Sequence, residues 1–222
     1  MINLDKLDRM AGLVFQNCIR LHSDSITLFN TKSYPSAYFL SILALEEFGK
    51  IFWIDDLLWH SFVEGKRDKE QDEKWLESIF FHTYKQRTFA HHLGINIPKK
   101  YIETINSGKL DIEKQNAIYV GLPKEKRKID INGKIINPLT MTHRKAEKQI
   151  TIVNNCILEN MLGNIKGIYS FQSGEINDLM KRKLYIKLSK NWKLISPKVQ
   201  RRIDKLEQLE DYVEESPFEN TP

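Results

Sequence analysis

Two adjacent glutamates and a lysine, Glu46, Glu47 and Lys50, lie inside an otherwise apolar segment that runs from Ala37 to Leu58. At about 100° per residue, Glu47 falls in the middle of one apolar stripe of a helix, and Glu46 falls in a second apolar surface. A carboxylate on such a face is costly to bury unless it is paired or hydrogen-bonded. Lys50 follows the glutamates by four and three residues, so either pair can form an ion pair within the helix.

A histidine lies on a second apparent core face. His82 begins the segment HTYKQRTFAHH and shares a helical stripe with apolar residues, and Lys85 follows it by one turn. We predict that Glu47 and His82 meet as a buried carboxylate–imidazole pair, in which the carboxylate orients an acid–base imidazole. The alternative is a structural hydrogen bond that only joins two helices.

Arg87 and His92 form a second candidate pair, because four residues separate them near the end of the same predicted helix. In a continuous helix they point about 140° apart, so they converge only if the helix ends near residues 90–92. A histidine can move a proton at a ribose hydroxyl or a leaving oxygen, while an arginine neutralises charge on phosphorus without a metal. The alternative is a solvated helix end.

The C-terminal part of the chain is rich in basic residues, of which four are candidates for contact with nucleic acid: Lys181, Arg182, Lys183 and Lys187. They predict a surface for an RNA backbone or the ribosome, and the alternative is an ordinary solvated helical face. The net charge of +5 permits an anionic partner. The sequence contains no P-loop, GxGxxG, GxSxG or HExxH motif, and its two cysteines have no CxxC context. We therefore expect no cofactor and no metal.

The elements that must position these residues are mainly helices, and helical periodicity predicts an all-α bundle. Asn132-Gly133 between β-branched residues predicts one small hairpin. The predicted helices cover 3–30, 34–62, 71–93 and 98–106, and a further helix begins after Pro138. We also predict a hairpin over 129–136 and helical segments over 174–213. We expect a bundle over 1–170 that includes the hairpin, a basic helical arm over 171–213, and a disordered tail over 214–222.

Three segments of the chain resemble the AbiV-type abortive-infection proteins, a branch of the HEPN superfamily. Ser36–Phe52, with its Glu-Glu-x-Gly-Lys block, is similar to the family's second helix. His82 and Lys85 are similar to the His-x-x-Lys of the next helix, and Asn116–Val120 is similar to a third family segment. The resemblance covers about 5–165 and leaves the C-terminal arm outside.

This resemblance implies a HEPN helical bundle that forms a homodimer and defends bacteria against phage by shutting down host translation. It also implies metal-independent cleavage of RNA, because the Arg-x4–6-His motif of HEPN ribonucleases is similar to Arg87 and His92. We expect Glu47 to orient His82, His92 to be a second acid–base group, and three cations to stabilise phosphate, namely Lys50, Lys85 and Arg87.

Two other interpretations remain open. The chain can be a non-catalytic effector that binds RNA, the ribosome or a phage-encoded activator protein. It can also be a structural helical adaptor in which the glutamate and the histidine only pack. Because no stretch is apolar enough to span a membrane and the N-terminus is charged, we expect a cytoplasmic protein, and the resemblance implies that it is bacterial.

Overall fold

A computed structural model describes residues 2–63, 69–91, 97–125, 128–168, 170–201 and 203–205 of the chain. The elements named below are helical except for two short strands. The helices are α1 (Leu4–Asn30), α2 (Tyr34–Val63), α3 (Lys69–Ser78), α4 (His82–His91), α5 (Lys99–Asn106), α6 (Lys109–Asn116), α7 (His143–Ile165), α8 (Gly174–Leu179) and α9 (Arg182–Asn191). The strands are β1 (Lys124–Glu125) and β2 (Lys128–Ile129). The predicted all-α class is confirmed.

Helices α1 and α2 form a long antiparallel hairpin close to the predicted bounds. Asn3 caps α1 by accepting a hydrogen bond from the Asp5 amide at 2.7 Å. The chain reverses at Lys32, which has a positive φ of 63°. One face of α1 is buried against α2, whereas α2 is buried on several sides and lies at the centre of the bundle.

Helix α7 completes the core against α1 and α2. Thr142 caps it by accepting a hydrogen bond from the Lys145 amide. Ile150, Val153, Ile157 and Met161 of α7 are fully or almost fully buried. Their spacing of three and four residues is the reason that this segment folds as a helix with one face in the core.

The single helix predicted over 71–93 is wrong, because the structure has two helices, α3 and α4. The Phe80 and Phe81 amides bond the Glu77 and Ser78 carbonyls in a tight turn that ends α3. From His82 onward the chain contacts α2 at progressively higher residue numbers, so α4 runs parallel to α2. A continuous antiparallel helix would contact α2 in the opposite order, and only the turn allows this change of direction.

The hairpin lies earlier than the predicted 129–136. Strands β1 and β2 pair with Lys124 opposite Ile129, and Gly121 forms a further bridge with Ile136. Asn132-Gly133 belongs to a separate turn, because the Asp130 side chain accepts from the Asn132 amide at 3.0 Å and stabilises that turn locally.

The C-terminal helices pack on the bundle. The Asp8 carboxylate of α1 accepts from the Ser173 hydroxyl at 2.5 Å, next to the start of α8. Trp192 at the end of α9 donates to Thr151 of α7 at 2.9 Å. Residues 197–201 and 203–205 are helical, within the predicted helical segments over 174–213. Residues 214–222 lie outside the described residues, and the division of the chain at 170 stays a prediction.

Candidate functional site

The backbones of α2 and α4 touch at Gly49. A Cβ atom built on Gly49 would lie 2.1 Å from the Lys85 carbonyl oxygen, so no larger residue fits without moving a helix. This contact explains the glycine in the Glu-Glu-Phe-Gly-Lys block. It brings the first two turns of α4 directly over Glu46 of α2.

Glu46 is the carboxylate at the centre of the site, and only 2% of its side chain is exposed. Its Oε2 atom contacts His82 Nδ1 at 2.6 Å. Its Oε1 atom accepts from Gln86 Nε2 at 2.7 Å and from Lys114 Nζ at 2.8 Å. Glu46 therefore joins α2, α4 and α6 through buried hydrogen bonds, which is how a carboxylate in a protein core is stabilised.

The predicted contact between Glu47 and His82 is wrong. Glu47 bonds Lys50 Nζ at 2.5 Å, one turn along the same helix. The reason is the position of α4 around α2, which is set by Gly49. Three residues place Glu46 about 60° from Gly49, whereas two residues place Glu47 about 160° away, so only Glu46 faces α4.

Charges of both signs are balanced around the site. Lys114 also pairs with Asp111 at 2.9 Å. Lys85 Nζ lies 3.9 Å from Glu46 Oε2, and burial lowers the pKa of Lys85. The described ion-pair cluster has three acidic and three basic side chains: Glu46, Glu47, Asp111, Lys50, Lys85 and Lys114.

His82 is the accessible member of the site, with 52% of its side chain exposed. Because the Glu46 carboxylate accepts hydrogen bonds, Nδ1 of His82 carries the hydrogen of this contact. The second ring nitrogen, Nε2, is then free to accept a proton from a bound molecule. An imidazole held in one tautomer by a carboxylate is an arrangement suited to general acid–base chemistry.

Arg87 and His91 lie on another side of α4, because they follow His82 by five and nine residues, which turn the helix by about 140° and about 180°. Arg87 donates to the Asn106 carbonyl at 3.4 Å, and the His91 ring contacts the Asn106 side chain at 3.2 Å. His92 lies outside the described residues. The convergence of Arg87 and His92 therefore stays a prediction.

A comparison with family models identifies the chain's relatives. The model of the HEPN family AbiV matches residues 6–216. The chain belongs to the AbiV family. It is thus an abortive-infection HEPN protein. No curated protein and no solved structure matches the chain. The match extends well beyond the 5–165 expected from the sequence, so the C-terminal helices belong to the AbiV pattern.

Sequence reasoning missed three residues that this AbiV protein uses to build the site, namely Gln86, Asp111 and Lys114. Gln86 shares the helical stripe of His82, which is a signal that polar groups meet there. Asp111 and Lys114 lie on α6, a helix that no strong periodicity indicates. Lys114 bonds Glu46 across 68 positions of the chain, and Asp111 pairs with Lys114. Only the folded bundle brings Lys114 to Glu46.

The four basic candidates of the C-terminal segment lie at the start of α9 or along it. Lys183 and Lys187 are exposed, and Lys181 pairs with Asp178 at 3.1 Å. Arg182 is half-buried. The opposite face of α9 buries Tyr185 and Leu188, and the helix packs against α7.

Within the described residues, no group of three or more histidine, cysteine, aspartate or glutamate side chains is arranged to hold a metal ion. No helix in the same part of the chain is long and apolar enough to cross a membrane.

Proposed function

We propose that this AbiV-family protein stops translation in phage-infected cells by cutting RNA, with His82 as the acid–base group and Glu46 as the residue that orients it. The observation that carries this proposal is a half-exposed imidazole whose Nδ1 is held at 2.6 Å by a buried carboxylate. The second ring nitrogen is thereby directed away from Glu46 and toward solvent.

The proposed reaction needs no metal. Nε2 of His82 takes the proton of a ribose 2′-hydroxyl, and the 2′-oxygen attacks the adjacent phosphorus. The bond from phosphorus to the 5′-oxygen breaks, and that oxygen takes up a proton from water. The hydroxide left behind takes the proton from the His82 imidazolium, which returns the ring to its neutral form. The products are a 2′,3′-cyclic phosphate and a 5′-hydroxyl. Lys50 and Lys85 lie beside the glutamates and supply positive charge for the phosphoryl oxygens as the transition state forms.

A second copy of the chain completes this proposal. HEPN domains commonly act as dimers, and two copies would place two His82 centres, or two Arg87–His92 pairs, at one cleft. We propose that the protein acts in the bacterial cytoplasm and that a phage-encoded protein triggers it. No cofactor takes part in this scheme.

Cleavage of total RNA and tRNA by the purified protein in excess EDTA tests the proposal. We expect RNA ends that carry 2′,3′-cyclic phosphate, and a loss of cleavage of at least 100-fold in His82→Asn. Glu46→Gln keeps a hydrogen-bond acceptor for the imidazole but removes the charge, so it should retain a small part of the activity.

The matched control is His143→Asn. His143 is also half-exposed, at 53%, but its nearest carboxylate is the Glu147 oxygen at 3.9 Å. The His143→Asn variant should therefore cut RNA as fast as the wild type does. RNA that stays intact while protein synthesis is blocked in a cell extract would contradict the cleavage proposal.

That result would favour the second candidate function, a non-catalytic effector that grips RNA or the ribosome. The exposed lysines of α9 support this alternative, because they lie on the solvent side of a helix anchored by Tyr185 and Leu188. Charge reversal at Lys183 and Lys187 separates the two functions. It should abolish the translation block if binding alone is responsible, and it should leave cleavage of short oligonucleotides largely intact if His82 cuts RNA.

A further inference from the structure

A separate cavity of about 350 Å³ opens between α2, α4 and the segment before α8. It lies farther along the same two helices that carry Glu46 and His82. Its walls combine aromatic rings, two carboxylates and several uncharged hydrogen-bonding groups. The lining residues are Phe52, Trp53, Asp55, Asp56, Trp59, Thr88, His91 and Gln172.

The two carboxylates of the cavity differ in their surroundings. Asp55 accepts from the Gln172 amide at 2.6 Å and holds the segment before α8 in place. Burial raises the pKa of Asp55 to about 6, against the hydrogen bonds of two backbone amides that lower it. Asp56 is exposed and has no hydrogen bond or ion pair with any other described residue. It is therefore available to accept hydrogen bonds from a ligand.

Aromatic side chains connect this cavity to the neighbourhood of His82. Trp59 follows Asp56 by three residues on α2, and half of it is exposed. Trp53, in the cavity wall, lies 6.4 Å from the ring of Tyr84, and Tyr84 lies 5.9 Å from the ring of Phe81, which precedes His82. Trp59, Tyr84 and Phe81 are about half exposed, whereas Trp53 is partly buried, and exposed aromatic rings are surfaces on which bases of a single strand stack.

The chemistry of the walls selects the ligand. An ionised carboxylate only accepts hydrogen bonds, and an indole stacks on flat rings. Guanine is flat and presents two adjacent donors, N1–H and the N2 amino group, on its Watson–Crick edge, which matches the two oxygens of one carboxylate. Cytosine and adenine present a donor beside an acceptor there, so one carboxylate oxygen would face a lone pair.

The cavity and His82 are separated by a distance that suits one strand of RNA. Asp55 follows Glu46 by nine residues on α2, which corresponds to about 14 Å along the helix. A short single-stranded segment spans this distance. An arginine side chain of a protein partner also fits a carboxylate and an indole, but it would make no use of the exposed rings of Tyr84 and Phe81.

We propose that the cavity beside Asp56 and Trp59 binds a guanine base of the RNA and so determines where His82 cuts. This inference rests on the proposed cleavage of RNA at His82. Asp56 is the residue that reads the base edge, Trp59 is the surface that stacks on its ring, and Asp55 keeps the wall of the cavity in position.

The test uses two short single-stranded RNAs that differ at one position, which is guanosine in one and inosine in the other. Inosine keeps N1–H but lacks the amino group, so the wild type should cut the guanosine RNA roughly tenfold faster, as the loss of one hydrogen bond to a charged group predicts. Asp56→Asn should cut the two RNAs at nearly equal rates. Asp24→Asn, which removes an exposed carboxylate of α1, is the charge-matched control and should keep the wild-type preference.

A wild-type preference that persists in Asp56→Asn would overturn the inference. If the wild type cuts neither RNA, the proposed cleavage fails, and binding tests the cavity separately. His82→Asn should then bind the guanosine RNA more tightly than the inosine RNA, and the double variant with Asp56→Asn should bind both equally. Equal binding by His82→Asn itself, or displacement by free arginine but not by guanosine monophosphate, would refute the guanine site.

Discussion

Replacement of Gly49 by alanine tests whether the contact between α2 and α4 builds the site. The added Cβ would lie 2.1 Å from the Lys85 carbonyl oxygen, whereas an ordinary contact begins at about 3.4 Å. The obstacle is backbone, so no flexible side chain can move aside. The two helices must separate by about 1.3 Å at this point, or the α4 backbone must distort.

The consequence for Glu46 follows from the same distances. Glu46 and Gly49 are one turn apart, as are His82 and Lys85. If the displacement reaches that turn in full, the contact between Glu46 Oε2 and His82 Nδ1 lengthens from 2.6 Å to about 3.9 Å, which is no longer a hydrogen bond. Overpacking of a well-packed interface costs about 1–3 kcal/mol, and the weakened bonds to buried Glu46 add to that loss.

Two measurements check this prediction. Urea denaturation should show a loss of about 2–4 kcal/mol in the free energy of unfolding. In the proton NMR spectrum, the downfield resonance of the His82 Nδ1 hydrogen should disappear while the spectrum stays that of a folded protein. Gly121→Ala is the matched control, because a Cβ there meets nothing within 4 Å. A Gly49→Ala variant with wild-type stability and an unchanged Nδ1 resonance would refute the geometric argument.

Three further predictions concern the rest of the core. Burial lowers the pKa of His22, whose ring contacts Asn154, to about 4. Because the folded protein keeps this ring neutral, the free energy of unfolding should fall by up to about 3 kcal/mol as pH falls from about 6.5 to about 4. His22→Gln should flatten this part of a curve of unfolding free energy against pH, and an unchanged slope would contradict the prediction. Lys114→Met leaves Glu46 without its buried cation and should lower the free energy of unfolding by about 3 kcal/mol in urea; a loss below about 0.5 kcal/mol would show that the pair is unimportant. Phe15→Ala, at a fully buried ring, should cost about 3–5 kcal/mol in the same assay, and a smaller loss would mean that α1 repacks.

The long helices could be predicted from sequence because their signals are local. The capped starts of α1 and α7 and the spacing of their buried residues each lie within a few turns of the chain. The turn that separates α3 from α4 has no such signal. Residues 79–81 include no glycine or proline that would break a helix. The change of direction depends instead on two contacts with α2, that of Trp75 with Trp53 before the turn and that of His82 with Glu46 after it.

The site shows the same division between local and distant information. Periodicity correctly predicts that polar groups lie on the apolar faces of α2 and α4, and it selects His82. It cannot decide between Glu46 and Glu47, because both lie among apolar residues and the choice depends on where α4 approaches. Gly49 carries that information, but only as a close contact with the Lys85 backbone. Lys114 comes from an element 68 positions away and could not be predicted.

The shared carboxylate of Glu46 also has a consequence for the order in which the chain acquires its proposed activity. During synthesis Glu46 leaves the ribosome well before Gln86, and Lys114 comes last of its partners. Until residue 114 is available, the glutamate lacks a buried cation, and packing α4 over it is unfavourable. We expect the orientation of His82 to depend on docking of α6. A growing chain that ends before α6 would then lack an oriented imidazole, and the ribosome that makes the protein would be protected from it until the bundle is nearly complete.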